Sequence, residues 1–204
     1  MKSVPGRAVL TTLASITLAS ALGAPLVAAP PVLAASSGGG EVARGRYLVG
    51  IMGCSDCHTP MKMGPNGPEP DRSRLLSGHP QGMKLGAPPK GGAGWIWSGA
   101  ATNTAFHGPW GTTYAINLTS DRETGLGGWT EENFVKALKG GKHLGVGRPI
   151  LPPMPWPAYS QATEDDLRAV FAYLRTVPPI RNLAPEYQSP APSSAQAAPQ
   201  APSR

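Results

Sequence analysis

Both cysteines of the chain fall in one five-residue run, Cys54-Ser55-Asp56-Cys57-His58. A C-x-x-C-H run is the covalent attachment signature of a c-type haem. Two thiols three positions apart can each add to one of the two vinyl groups on neighbouring pyrroles and form thioethers. The histidine that follows then lies under the ring, where its imidazole can bind iron as the proximal ligand. Three other chemistries use the same residue types. A thioredoxin-like dithiol sits in a βαβ context, whereas the flanks here are rich in Gly and Pro. A structural zinc site needs four closed ligands, and the remaining histidines, His79, His107 and His143, show no paired spacing. A buried disulfide accounts for the cysteines and leaves His58 unexplained. The motif predicts one covalent haem c held by Cys54, Cys57 and His58.

A haem with one protein ligand can bind small molecules, and with two it mostly transfers electrons. The sixth ligand therefore decides function. Met154 is the leading candidate, in Leu151-Pro152-Pro153-Met154-Pro155. Three prolines fix the backbone around it and would hold a weak thioether in place with little flexibility. The alternative for this residue is filling a gap in the core. Met52, Met61, Met63 and Met83 lack such a frame, and His143 and His107 are the rival ligands by chemistry.

The rest of the chain must position these groups. Gly and Pro make up about a quarter of its 204 residues and aromatics only 6%, so a large cofactor would supply core that side chains do not. The formal net charge is +6, falling to +4 without Lys2 and Arg7. A scattered excess of this size suits steering toward an acidic protein surface. It is no nucleic-acid footprint, because no basic run interleaves with aromatics.

Residues 1–34 read as a secretory signal. Lys2 and Arg7 form the positive start, Ala8 to Leu22 is uncharged and largely apolar, and cleavage is expected near Ala34. That stretch is short for a membrane span and is followed by Pro25, Pro30 and Pro31, so the mature form is expected to have no span. Residues 35–40 read as a linker. Glu41 to Ile51 follows as a short helix with Ala43, Tyr47 and Ile51 as its apolar stripe. Gly45 within it marks either a close approach or a tolerated surface glycine. Residues 60–111 hold eleven glycines and eight prolines, which excludes long helices. They also hold Trp95, Trp97, Phe106 and Trp110, too many large apolar groups for a disordered linker. An ordered, irregular insertion over part of the cofactor is expected, with a small hairpin from Phe106 to Tyr114.

Two helices close the domain. Thr130 caps the first, Phe134 and Leu138 make its stripe, and Gly140-Gly141 ends it. Thr163 caps the second, in which Leu167, Val170, Phe171 and Leu174 follow helical spacing until Pro178-Pro179. Residues 185–204 are Pro, Ala, Ser and Gln with almost no large apolar group, and read as a disordered tail.

The chain resembles the class I c-type cytochromes. The likeness rests on Gly45-Arg46-Tyr47-Leu48 before the C-x-x-C-H run, Pro152-Pro153-Met154-Pro155, and the helix Asp166 to Arg175. It is also similar to haem domains of cytochrome subunits of periplasmic alcohol and aldehyde dehydrogenases. That likeness lies in Pro109-Trp110-Gly111-Thr112-Thr113-Tyr114, Asn117-Leu118-Thr119, the run Glu123 to Trp129, and Met154-Pro155-Trp156-Pro157-Ala158-Tyr159. Those subunits typically carry several haem motifs, and this chain has one. The resemblance implies a mostly α domain over residues 41–184, with first and last helices crossing near the haem and His58/Met154 ligation. Tyr114, Asn117 or Trp129 would hydrogen-bond a haem propionate. His58 would donate its other ring nitrogen to a backbone carbonyl, for which the loop from Pro60 to Pro65 is near enough in sequence.

The expectation is a periplasmic mono-haem electron-transfer protein, not an enzyme itself, passing single electrons between a dehydrogenase and the respiratory chain. Its partners would be a periplasmic dehydrogenase, a terminal oxidase or another cytochrome. The alternative is an open-site haem enzyme of peroxidase type, or a gas-binding haem protein.

Overall fold

The computed structural model describes residues 37–89 and 94–190. The expected signal at 1–34 and the end of the tail, 191–204, lie outside the described residues. The first helix, α1, spans Ser37–Ile51. It begins four residues before the expected start at Glu41, so Ser37 to Gly40 belong to helix rather than linker. Propagation from an already packed helix adds one hydrogen bond per residue fixed, which offsets the poor propensity of three glycines. The buried face also differs from the expected stripe. Gly45, Leu48 and Val49 face inward, whereas Tyr47 and Ile51 are 63% and 62% exposed and Ala43 is exposed too. Backbone proximity sets that face. A Cβ on Gly45 would lie 1.8 Å from the Ala169 carbonyl oxygen, so this glycine lets α1 cross closely over the last helix.

That helix, α5, spans Glu164–Leu174. Thr163 accepts a hydrogen bond from the Asp166 amide, and Leu167, Val170, Phe171 and Leu174 are buried, as their spacing requires. Between them comes α3, Glu131–Gly140, capped by Thr130 on the Asn133 amide and ended by a left-handed Gly141. Phe134 of α3 packs on Phe171 of α5 with centroids 5.3 Å apart. The core of α1, α3 and α5 gathers Leu48, Val49, Phe134, Leu138, Leu167 and Val170. Each such side chain contributes about 1.5–3 kcal/mol on burial. Two short helices, α2 (Cys54–His58) and α4 (Trp156–Tyr159), complete the α-helices among the described residues.

Residues 60–111 are more regular than expected. Strands β1 (Met61–Gly64) and β2 (Gly67–Pro70) form a hairpin, and β3 (Ser98–Gly99) pairs antiparallel with β4 (Ala105–Gly108). The expected hairpin at 106–114 is present, with β4 pairing β5 (Gly111–Tyr114) across Pro109-Trp110. The expected mostly α class is met only in part, because two small sheets stand beside the five α-helices of the described residues.

The tail also departs from expectation. Residues 185–190 are ordered against β5, where Thr112 and Gln188 exchange backbone hydrogen bonds of 2.8 and 3.0 Å. The Tyr187 hydroxyl donates to the Trp110 carbonyl at 2.6 Å. Composition concealed this because an added edge strand is held by backbone groups, which every residue but proline carries in full. Among the described residues no helix is long and apolar enough to cross a membrane.

Candidate functional site

One cleft draws on α2, α3, α4, α5, β4 and β5 and the loops between them. It is open to solvent at its mouth. Its walls are mainly apolar, with Ile116, Leu118, Leu126, Phe134, Leu138 and Val170 among them.

Helix α2 carries Cys54, Cys57 and His58 into this cleft. Gly53 precedes it at φ 66°, a left-handed conformation that turns the chain sharply out of α1. Both thiols are free and half-buried. Burial pushes the Cys54 thiol up to about 11, and burial together with Asp56 raises Cys57. In this folded form both sulfurs are therefore protonated at neutral pH. Among the described residues no group of three or more His, Cys, Asp or Glu side chains is placed to hold a metal ion.

His58 is buried, and burial lowers its pKa, favouring the neutral ring. Its Nδ1 lies 2.7 Å from the Ile116 carbonyl oxygen. A carbonyl only accepts, so Nδ1 carries the proton and Nε2 keeps its lone pair. The expected partner in the loop from Pro60 to Pro65 is not used. That loop enters the β1–β2 hairpin, and the Pro60 carbonyl accepts from the Asp71 amide instead. The carbonyl that orients His58 lies 58 residues away in sequence.

Met154 lines the same cleft, and its loop is pinned by Thr113, whose hydroxyl donates to the Pro152 carbonyl at 2.9 Å. Of the rival histidines, His143 also lines the cleft and meets Trp129 edge-on at 5.0 Å. His107 lies on β4 with Nδ1 2.8 Å from Thr112 Oγ1, and His79 is fully buried beside Thr104. Neither of these two is among the lining residues.

Tyr114 and Trp129 line the cleft, but Asn117 does not. Its amide nitrogen donates to Thr124 Oγ1 and the Ile180 carbonyl, and its oxygen accepts from the Thr119 amide and hydroxyl. A side chain so fully engaged and 2% exposed has no capacity left for a propionate. Arg148 and Tyr187 line the cleft without having been singled out from sequence, and Tyr159, named there only within the family likeness, lines it too. Arg148 is a cation at the wall of an apolar cleft. Tyr159 donates to the Met52 carbonyl at 2.5 Å and ties α4 to the end of α1. An isolated tyrosine in a Pro- and Ala-rich tail was the one available sign of Tyr187.

The residues present fit a haem. Two thiols, an imidazole with a free Nε2 and a thioether line one mainly apolar cleft.

No family model matches the chain. It is 30% identical over 158 residues to the fructose dehydrogenase cytochrome subunit of Gluconobacter japonicus, covering 77% of this chain and 26% of that protein. It is 36% identical over 104 residues to the cytochrome c subunit of the quinone alcohol dehydrogenase of Gluconobacter oxydans, covering 44% and 22%. It is 37% identical over 65 residues to the gluconate 2-dehydrogenase cytochrome c subunit of Pantoea cypripedii, covering 32% and 14%. The chain thus spans about a quarter or less of these relatives. It is related to cytochrome c subunits of dehydrogenases.

Proposed function

We propose that this chain is an exported mono-haem c-type cytochrome that passes single electrons from a dehydrogenase toward a respiratory acceptor. The observation that carries the reading is the convergence of Cys54, Cys57, His58 and Met154, separated by up to 100 positions, on one apolar cleft. Haem, when bound, supplies a one-electron iron couple. Cys54 and Cys57 would hold it by thioethers. His58 would offer Nε2 while the Ile116 carbonyl fixes its tautomer and ring orientation. Met154 would offer a neutral sulfur from a proline-framed loop that Thr113 restrains. Arg148 would offset the charge of a propionate at the wall. The apolar lining excludes water and favours the less charged, reduced state of the site.

Extraction of the denatured mature protein with acidified organic solvent checks attachment: the colour should stay with the polypeptide. Ligation by Met154 should give the oxidised protein a weak far-red sulfur-to-iron band, and the reduced protein should resist carbon monoxide. Met154→Ala should abolish the band, lower the potential and open the site to carbon monoxide.

One observation favours a second reading. His143 and Arg148 both line the cleft, and an imidazole base with a guanidinium is the pair an open-site peroxide enzyme would use. Avid carbon monoxide binding and peroxide turnover by the unaltered protein would select that reading over the carrier.

A further inference from the structure

Among the large apolar side chains exposed in the described residues, three are consecutive in sequence and lie outside the cleft lining. Trp95 and Ile96 are 78% and 72% exposed, and Trp97 next to them is 46% exposed. Scattered single apolar residues on a surface are ordinary, but three consecutive large ones form a patch. They lie immediately before β3, in the insertion. The patch is also joined to the cleft. The Trp97 ring meets Phe106 edge-on, with centroids 5.8 Å apart and planes at 74°. Phe106 is buried on β4, opposite Gly99 of β3, and lines the cleft.

We infer that Trp95, Ile96 and Trp97 form the docking surface for the redox partner protein, and that Trp97 and Phe106 are the aromatic link from that surface to the cleft. The inference rests on the electron-transfer reading above. The partner is a protein presenting an apolar face, met in a transient complex. Size decides between this occupant and a second copy of the chain. With 150–250 Å² available from each large aromatic side chain, the three exposed groups offer on the order of 400 Å². A stable interface needs about 800 Å² on each partner, whereas weak electron-transfer encounters bury less than about 1,200 Å² in total. The patch is thus large enough for the apolar centre of an encounter and too small for a permanent dimer. Tryptophan is also the residue type most enriched among the few positions that dominate binding energy.

A defined apolar surface can stand in for the partner. The loaded full chain is studied by voltammetry on gold carrying either a methyl-terminated or a carboxylate-terminated alkanethiol monolayer. Trp95→Ser/Ile96→Ser changes only outward-facing groups and should leave the absorption spectrum and midpoint potential unchanged. On the methyl surface it should slow electron transfer by about tenfold, the loss expected for one apolar anchor. On the carboxylate surface the change should stay below about twofold. Trp97→Leu keeps an apolar side chain but removes the ring, and should slow transfer on the methyl surface without weakening adsorption. Equal rates for the double variant and the unaltered chain on the methyl surface would overturn the inference. So would a concentration-dependent dimer in sedimentation that the double variant abolishes, because the patch would then belong to a second copy. Absence of a reversible one-electron wave on both surfaces in the unaltered protein points elsewhere, to failure of the electron-transfer reading itself.

Discussion

Gly45 and Gly50 lie on one helix, and substituting alanine at each should move stability in opposite directions. At Gly45 a Cβ would stand 1.8 Å from the Ala169 carbonyl oxygen, 2.5 Å from its carbon and 2.9 Å from Tyr173 Cβ. Two of those atoms are backbone, so no rotamer change relieves the clash, and α1 and α5 must part by roughly an ångström or more. Overpacking of this kind costs about 1–3 kcal/mol, and a rigid backbone neighbour puts this site at the upper end. Alanine returns about 1 kcal/mol of helix propensity. The net loss is about 2 kcal/mol, or a fall in melting temperature of about 4–8 °C for a domain of this size. At Gly50 nothing lies within 4 Å of the added Cβ and the position is exposed. Gly50→Ala therefore keeps the propensity gain, and its melting temperature should rise by about 2–4 °C. Thermal unfolding followed by far-ultraviolet circular dichroism reads both. If the two variants melt alike, close approach at Gly45 is not what holds α1 on α5. The helix ends at Ile51, next to Met52, which lines the cleft, so Gly45→Ala should admit imidazole to the site more readily.

Removing residues 184–204 deletes the Thr112–Gln188 pair, the Tyr187 hydrogen bond and two lining residues, Pro185 and Tyr187. The truncated protein should bind imidazole more tightly by spectral titration, and unchanged affinity would show that the strap covers nothing. Arg44 and Thr163 hold the Asp166 carboxyl below its ordinary pKa. Its contribution is therefore present above the usual carboxylate pKa and lost as pH falls through the lowered value, so Asp166→Asn should lower stability at neutral pH, change it little in acid, and thereby flatten the acid limb of a stability–pH curve. Without Lys2 and Arg7 the formal charge is +4, so the second-order rate with an acidic redox partner should fall as salt rises, because screening shortens the steering field. A rate indifferent to ionic strength would remove charge steering and leave the apolar patch as the whole attraction.

What could be read from sequence followed the range of the interaction. The C-x-x-C-H run, the Thr130 and Thr163 caps, and the α3 and α5 stripes depend on residues a few positions apart, and each appears as its spacing requires. The inward face of α1 depends on which side of Gly45 meets Ala169, 124 positions away, and the local pattern of Ala43, Tyr47 and Ile51 pointed to the wrong side. The partner of His58 and the docking of Gln188 are backbone contacts across 58 and 76 positions, for which side-chain identity carries almost no information. Asn117 was expected to meet a propionate, but its amide is engaged instead by Thr119 and Thr124 in the adjoining turn and by the Ile180 carbonyl 63 positions away, contacts that its residue type alone does not reveal.

The insertion gains its meaning from the β4–β5 hairpin. Phe106 on β4 faces the cleft and meets Trp97. On β5, Thr112 receives the strap and Thr113 restrains the Met154 loop through Pro152. Two residues beyond β5, Ile116 orients His58. Both proposed axial ligands are thus restrained from one ribbon, three residues apart at Thr113 and Ile116. A shift of that ribbon would move the His58 and Met154 supports together, so their mutual geometry is kept even where the surrounding loops are rich in glycine. The same ribbon carries the aromatic contact to the exposed patch, so a partner pressing on Trp97 pushes on the element that sets both ligands. A partner bound there should therefore change the far-red band of the oxidised protein, and Trp97→Leu should remove that response while leaving the band of the free protein in place.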